Sequence, residues 1–172
     1  MEIFDNDISI FNKKIDKILG FKVLPLPKSG LLHNYTGKVP VAPFEIKIRD
    51  DRAELKRFTT HSIPEFNPID WDCRYIKLID IKTEKTKVII FIRDGEKTIK
   101  TFIPLGQYKL KMSYGTNWYG EKNLFGVGTS YSYSNQILSF NASNDTIYGH
   151  RITLYSDTDG NFFDKEMQPE DF

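Results

Sequence analysis

Cysteine is nearly absent, Cys73 being the one thiol in 172 residues. A single sulfur can form neither an intrachain disulfide nor a multi-thiolate zinc site, so the fold must rest on noncovalent packing, and a reducing compartment suits it. Long apolar runs are missing as well. The longest, Val88 to Ile92 within KVIIFIR, falls far short of the roughly 18 to 20 residues that a membrane-crossing helix needs. The opening MEIFDND is acidic, where a secretory leader would carry basic residues and then an apolar stretch. A cytoplasmic chain that does not span a membrane is expected. Charge of one sign is lacking too: 24 basic side chains against 23 acidic ones leave a net charge of +1. That removes the basic field on which nucleic-acid binding depends, so no nucleic-acid partner is expected. The three histidines, His33, His61 and His150, stand at no zinc-ligand spacing to one another or to Cys73. They predict no metal, no cofactor and no Cys-His nucleophile, and His150, alternating with Ile152 and Leu154, reads as a satisfied core or interface residue.

What is present is a globular composition, 40% hydrophobic and 27% charged, which fits neither disorder nor a fibrous repeat. Residues 1–20 stand apart. Phe4, Ile8, Phe11, Ile15 and Ile18 recur at steps of four and three, which puts them on one stripe of an amphipathic helix. Asp5 or Asp7 can cap its start, Lys13, Lys14 and Lys17 favour the negative end of its dipole, and Gly20 can terminate it. Such a helix either lies on its own domain or docks on a partner. Residues 21–43 hold four of the eight prolines and read as a linker or edge segment, LPKSG included.

Residues 44–172 change texture to short runs rich in Ile, Val, Phe, Tyr and Thr: FEIKI, RYIKLIDI, KVIIFIR, KTIKTFI, YKLKM, QILSF and YGHRITLY. No long helical run alternates with them, which predicts an all-β, antiparallel sandwich of about seven strands behind the N-terminal helix. Asp94-Gly95 between two such runs predicts a two-residue hairpin over Val88 to Ile103 in which Ile90 faces Ile99. After Pro104-Leu105-Gly106, the alternation of Tyr108, Leu110 and Met112 with lysines predicts a third consecutive, half-buried strand. ASND at 142–145 and DTDG at 157–160 are turn clusters. The charged, proline-rich stretch at about 49–72 reads as an insertion between strands.

The segment Tyr75 to Phe140, with YIKLIDIKTEK, IRDGEKTIKTFIPLGQYKLKMSYG, NWYGEKNLFG, TSYS and LSF, resembles an uncharacterised family of bacterial β-rich domains. The carrying features are the proline-leucine-glycine turn with its tyrosine strand and the WYGE and LFG loop. In outline these domains are similar to transthyretin-like or carboxypeptidase-regulatory-like sandwiches. VAPFEIKI, RITLYSDTDGNF and the final PEDF extend the likeness to about residues 25–172, with the 49–72 stretch departing from it. The resemblance implies a compact accessory or interaction sandwich and no catalytic residues.

Chemistry finds little support in the residues. Placing Gly160 at position six of a calcium loop puts Tyr155, which has no carboxylate, at position one. GVGTS lacks the lysine of a phosphate loop and the second glycine of a nucleophile elbow. Asp50, Asp51, Glu54, Glu65, Asp70 and Asp72 could supply a two-carboxylate hydrolase, but such charge runs usually form solvated faces. The passage from Tyr114 to Tyr133 concentrates rings on a glycine-rich backbone, and Tyr114, Trp118, Tyr119, Tyr131 and Tyr133 are the expected partner-binding residues. Trp118 and Tyr119 are expected to be at least partly exposed, with Phe125 in the core. The sequence therefore points to a non-enzymatic protein–protein interaction module of adaptor, inhibitor or immunity type. A carbohydrate or cell-envelope binder using the aromatic loop is the alternative, and a small carboxylate-dependent hydrolase a distant one.

Overall fold

The computed structural model describes the backbone of residues 2–33, 39–48, 73–154 and 165–172, with side chains from residue 8 onward. One helix, α1 (Glu2–Ile18), precedes eleven strands among these residues. In chain order the strands are β1 (Gly30–Leu31), β2 (Val41–Lys47), β3 (Cys73–Asp80), β4 (Thr86–Ile92), β5 (Thr98–Pro104), β6 (Gly106–Gly115), β7 (Ser130–Tyr133), β8 (Leu138–Ser143), β9 (Thr146–Tyr148), β10 (His150–Thr153) and β11 (Lys165–Glu166). The larger sheet runs β1-β4-β3-β6-β7-β11, with β8 on the other half of the β6 edge and β9 beyond it. The smaller sheet is β10-β2-β5, in which only β10 and β2 run parallel. The fold is all-β and mostly antiparallel, as expected, with more strands than the seven runs suggest because β1, β7, β9 and β11 are only two to four residues long.

The period of two sets which side chains meet. Ile76 and Leu78 of β3, Val88, Ile90 and Ile92 of β4, and Tyr108, Leu110 and Met112 of β6 face Ala42, Phe44 and Ile46 of β2, Ile99 and Ile103 of β5, and Ile152 of β10 in the principal core. The opposite face of the large sheet is buried too. Cys73, Tyr75 and Phe91 point there and join Trp118, Leu124 and Phe125 in a second apolar cluster. Because β3 is covered on both faces, its sequence reads as continuous burial at its start rather than alternation.

The expected hairpin over Val88 to Ile103 does not form. β4 pairs with β3 and β1, while β5 crosses to the other sheet and pairs with β2, so Ile90 lies opposite Ile76 and Leu31, and Ile99 opposite Ile46. The physical reason lies in the turn. A type I′ hairpin turn needs positive φ at both central residues, and here Gly95 has it (+81°) but Asp94 does not. The link is an arch between sheets, and Ile90 and Ile99 both stay in the core it spans. The third strand is corrected in the same way: after Pro104 the chain crosses back, and β6 pairs with β3, β7 and β8 rather than with β5. The Tyr108 hydroxyl donates to the Pro104 carbonyl at 2.9 Å and braces that corner. The left-handed two-residue turn occurs instead in ASND, where Asn144 (φ 46°) and Asp145 (φ 64°) join β8 to β9.

Residues 21–33 run as an edge segment. The Arg93 guanidinium donates to the carbonyls of Pro27 and Leu26, both at 2.8 Å, and β1 adds to the β4 edge. The charged stretch at 49–72, with His61 and the six candidate carboxylates, lies outside the described residues, as does 155–164, which holds most of the calcium-like loop.

Candidate functional site

The aromatic passage serves the second apolar cluster. Among the described residues no second sheet lies above Tyr75 and Phe91 on the outer face of β3 and β4, and the loop after β6 supplies the cover. Trp118 stacks on Tyr75 at 5.8 Å and meets Phe91 edge-on at 5.0 Å and Phe125 at 5.5 Å. Trp118 is 4% exposed and Tyr119 5%. The expectation that these two rings stand exposed is thus corrected: the apolar face beneath them needs a lid, and a large ring gains more from that burial than from solvent. Phe125 is in the core, as expected. Nor do the five ring residues share a surface. Tyr114 packs against the principal core, whereas Tyr131 lies on the opposite face of the sheet with Trp118. Tyr133 lines a groove of about 520 Å³ with Lys109, Lys111, Glu166 and Asp171.

The loop also holds the helix. Asp16 of α1 is only 2% exposed, and its carboxylate accepts the Val127 amide proton at 2.8 Å, satisfying a donor at the 3-10 turn Gly126–Gly128. The buried Tyr119 phenol bonds to the same carboxylate, and burial together with that charge pushes its pKa up. A side chain on Gly126 would collide with the Asp16 carboxylate, and Gly126 also has φ +73°. One turn earlier on α1, the Asn12 amide lies against Gly128. The helix is therefore anchored by a polar edge of Asn12 and Asp16.

Its apolar stripe faces elsewhere. Ile8 is 56% exposed, Phe11 62% and Ile18 79%, while Ile15 is half-buried. Exposed Leu19, Val23 and Leu24 continue this apolar character along the segment after the helix. Scattered exposed apolar residues are ordinary, but a regular stripe of them on one helix is not.

A polar constellation sits at the margin of the second cluster. The Tyr75 hydroxyl donates to Glu121 at 2.9 Å, and His33 lies 2.8 Å from the same oxygen. Burial, then Glu121, drives the Tyr75 pKa upward, so the phenol stays protonated across the physiological range. Lys77 runs the other way: burial and neighbouring Lys111 lower its pKa, with Glu121 opposing. Lys77 and Lys111 donate to the carbonyls of Phe172 and Asp171, at 3.0 and 2.5 Å, so they fasten the 165–172 segment. Glu121 is already engaged by two donors and the lysines by carbonyls. This arrangement serves cohesion, since each of these polar groups is already paired within the fold. His150 is satisfied as well, bonding the Ser139 carbonyl at 2.7 Å beside the Phe140 ring. Among the described residues, no group of three His, Cys, Asp or Glu could hold a metal ion, and no helix is long and apolar enough to cross a membrane.

Sequence reasoning missed Asp16. The signal was available, because an acid among Lys13, Lys14 and Lys17 opposes the negative end of the helix dipole and needs another partner. The His33–Glu121–Tyr75 group left no such trace, as no spacing rule links its members. Comparison with family models, with curated proteins and with solved structures gives no match for this chain.

Proposed function

We propose that this protein is a non-enzymatic protein–protein interaction module whose contact surface is the apolar face of α1. One observation carries the reading: a helix fixed to its domain by Asn12 and Asp16 leaves Ile8, Phe11 and Ile18 in water. A helix that merely covered its own sandwich would bury those residues. The β-sandwich is the rigid platform, and the aromatic loop is the seat of the helix rather than the contact itself. A carbohydrate-binding reading loses its stacking platform with the burial of Trp118 and Tyr119. The test is a photo-crosslinking amino acid at position 11, compared with one at exposed Lys100 on β5. Position 11 should give a discrete protein adduct that Ile18→Asp abolishes, and position 100 none. No adduct at position 11 in the source cell would overturn the reading.

A further inference from the structure

Alternation along β3 and β6 puts Tyr75, Lys77, Lys111 and Ser113 on the outer face of the large sheet, away from the principal core. The register sets Lys77 directly opposite Lys111, and like charges placed directly opposite destabilise a sheet. Burial and then Lys111 hold the Lys77 pKa down, so this ammonium sits where its charge is disfavoured. Ser113 lies opposite Tyr75 on one side and Tyr131 on the other. It is fully buried, and its hydroxyl has no hydrogen-bond partner. An unpaired hydroxyl beside an opposed pair of cations weakens a sheet, but it suits the reception of an anion.

The segment 165–172 covers this place. The Phe172 ring rests between Tyr75 and Tyr131, the two neighbours of Ser113, and the Lys77 ammonium is 4.1 Å from its centroid. The main-chain oxygen of Phe172 accepts from Lys77 at 3.0 Å, and that of Asp171 accepts from Lys111 at 2.5 Å. The cover is thin, since each residue of the segment is exposed or half-buried. Going beyond the helix contact, we propose that residues 165–172 are a strap over a ligand site, and that the ligand is an aromatic carboxylate. Its ring takes the place of the Phe172 ring between Tyr75 and Tyr131, its carboxylate bridges Lys77 and Lys111, and the Ser113 hydroxyl is a further donor within the site. The strap imitates such a ligand, presenting one ring and main-chain oxygens to the two ammonium groups. A carboxylate between those groups relieves their repulsion. Glu121 does not serve this purpose, because Tyr75 and His33 hold it. Glu166 and Asp171, the acids lining the neighbouring groove with Lys109 and Lys111, belong to the strap and leave with it.

Calorimetric titration of the full chain with two probes tests this: 3-phenylpropionate, and an acetylated PEDF peptide with a free terminal carboxylate. Both should bind the Phe172→Ala variant, with a Kd about tenfold lower than for wild type, because the ring that competes for the site is gone. The uncharged 3-phenylpropanol should not bind. Adding Lys77→Met to the Phe172→Ala variant should abolish binding of both probes while the β-sheet circular dichroism stays unchanged. Ser113→Ala should raise the melting temperature of the unliganded chain, by removing an unpaired buried hydroxyl, and yet weaken binding of the probes in the Phe172→Ala background. A merely structural serine would not show the second effect. A peptide that binds about tenfold more tightly than 3-phenylpropionate supports the site as a receptor for a chain terminus, and equal affinities support it as a site for a free aromatic acid. Absence of saturable binding to Phe172→Ala, equal binding of 3-phenylpropanol, or binding indifferent to Lys77→Met would overturn the assignment, and none of these results bears on the contact face of α1.

Discussion

The buried Asp16 carboxylate accepts the Val127 amide proton at 2.8 Å, and this contact decides which way α1 faces. Without it the helix would have every reason to roll its apolar stripe onto the domain. A buried acceptor removed from such a pair leaves its donors unpaired, which costs about 1–3 kcal/mol. Asp16→Ala should therefore destabilise the protein by about that amount in urea denaturation and should speed hydrogen exchange of the α1 amides. Asp16→Asn, which keeps an acceptor for Val127, should lose less. An Asp16→Ala variant within about 0.5 kcal/mol of wild type would show that the helix is held by something else.

Trp118 and Ile18 make a contrasting pair. Trp118 is enclosed by Tyr75, Phe91 and Phe125, so Trp118→Ala should cost about 3–5 kcal/mol and collapse the near-ultraviolet circular dichroism. Ile18 is 79% exposed, and Ile18→Ala should stay within about 0.5 kcal/mol under conditions where the chain is monomeric. Equal effects would contradict the partition between lid and contact face.

The arch at Asp94-Gly95 has a signature in nuclear Overhauser data. Cross-strand contacts between backbone protons should join Ile90 to Ile76, and Ile99 to Ile46, with none between the backbones of Ile90 and Ile99. Ile90→Ala should still cost about 2–5 kcal/mol, since Ile90 is fully buried whichever strand it pairs with.

Those strands show what a sequence of this kind reveals. The alternation of Val88, Ile90 and Ile92 marks a core face because side-chain direction is a local property of extended backbone. Pairing is not local: whether the chain after Gly95 folds back beside β4 or crosses to the other sheet depends on the twist of one dipeptide and on strands elsewhere in the sequence. The candidate site divides in the same way. The helix and its apolar stripe are visible as a period, whereas its exposure depends on Asp16 meeting a turn formed by residues far along the chain. Rings in the Tyr114 to Tyr133 passage are equally apt for recognition and for closing a core, and only the bare outer face of β3 and β4 decides between them.

Alkaline pH should expose the Tyr75–Glu121 contact. Burial and Glu121 raise the folded-state pKa of Tyr75 above its unfolded value, so the stabilisation is fully present below about pH 10 and is lost as pH rises beyond it. Tyr119 and Tyr108, also shifted upward, add in the same sense, whereas the lowered pKa of Lys77 opposes them. Tyr75→Phe should therefore flatten the fall in melting temperature above about pH 10. An unchanged slope would mean that the Tyr75 phenol is not held in its neutral form by the fold.

The 165–172 segment should open on its own. β11 adds only two residues to the edge of β7, and the Met167 amide donates to the Tyr131 carbonyl at 3.1 Å. Beyond it, Phe172 rests between Tyr131 at 5.3 Å and Tyr75 at 6.2 Å, with the Lys77 ammonium 4.1 Å from its ring centroid. Those contacts and the two lysine-carbonyl bonds are what the segment has to set against its chain entropy. Removing the ring by Phe172→Ala forfeits about 1–2 kcal/mol of half-buried apolar contact, which corresponds to about a tenfold rise in the opening constant. Hydrogen exchange at the Met167 amide should accelerate by that factor, and Lys77→Met should act in the same direction. Because local opening need not disturb the two core clusters, the global urea midpoint should barely move. If exchange at Met167 is unaffected, or if global stability falls in step with it, the segment is part of the cooperative core rather than a strap laid across the sheet.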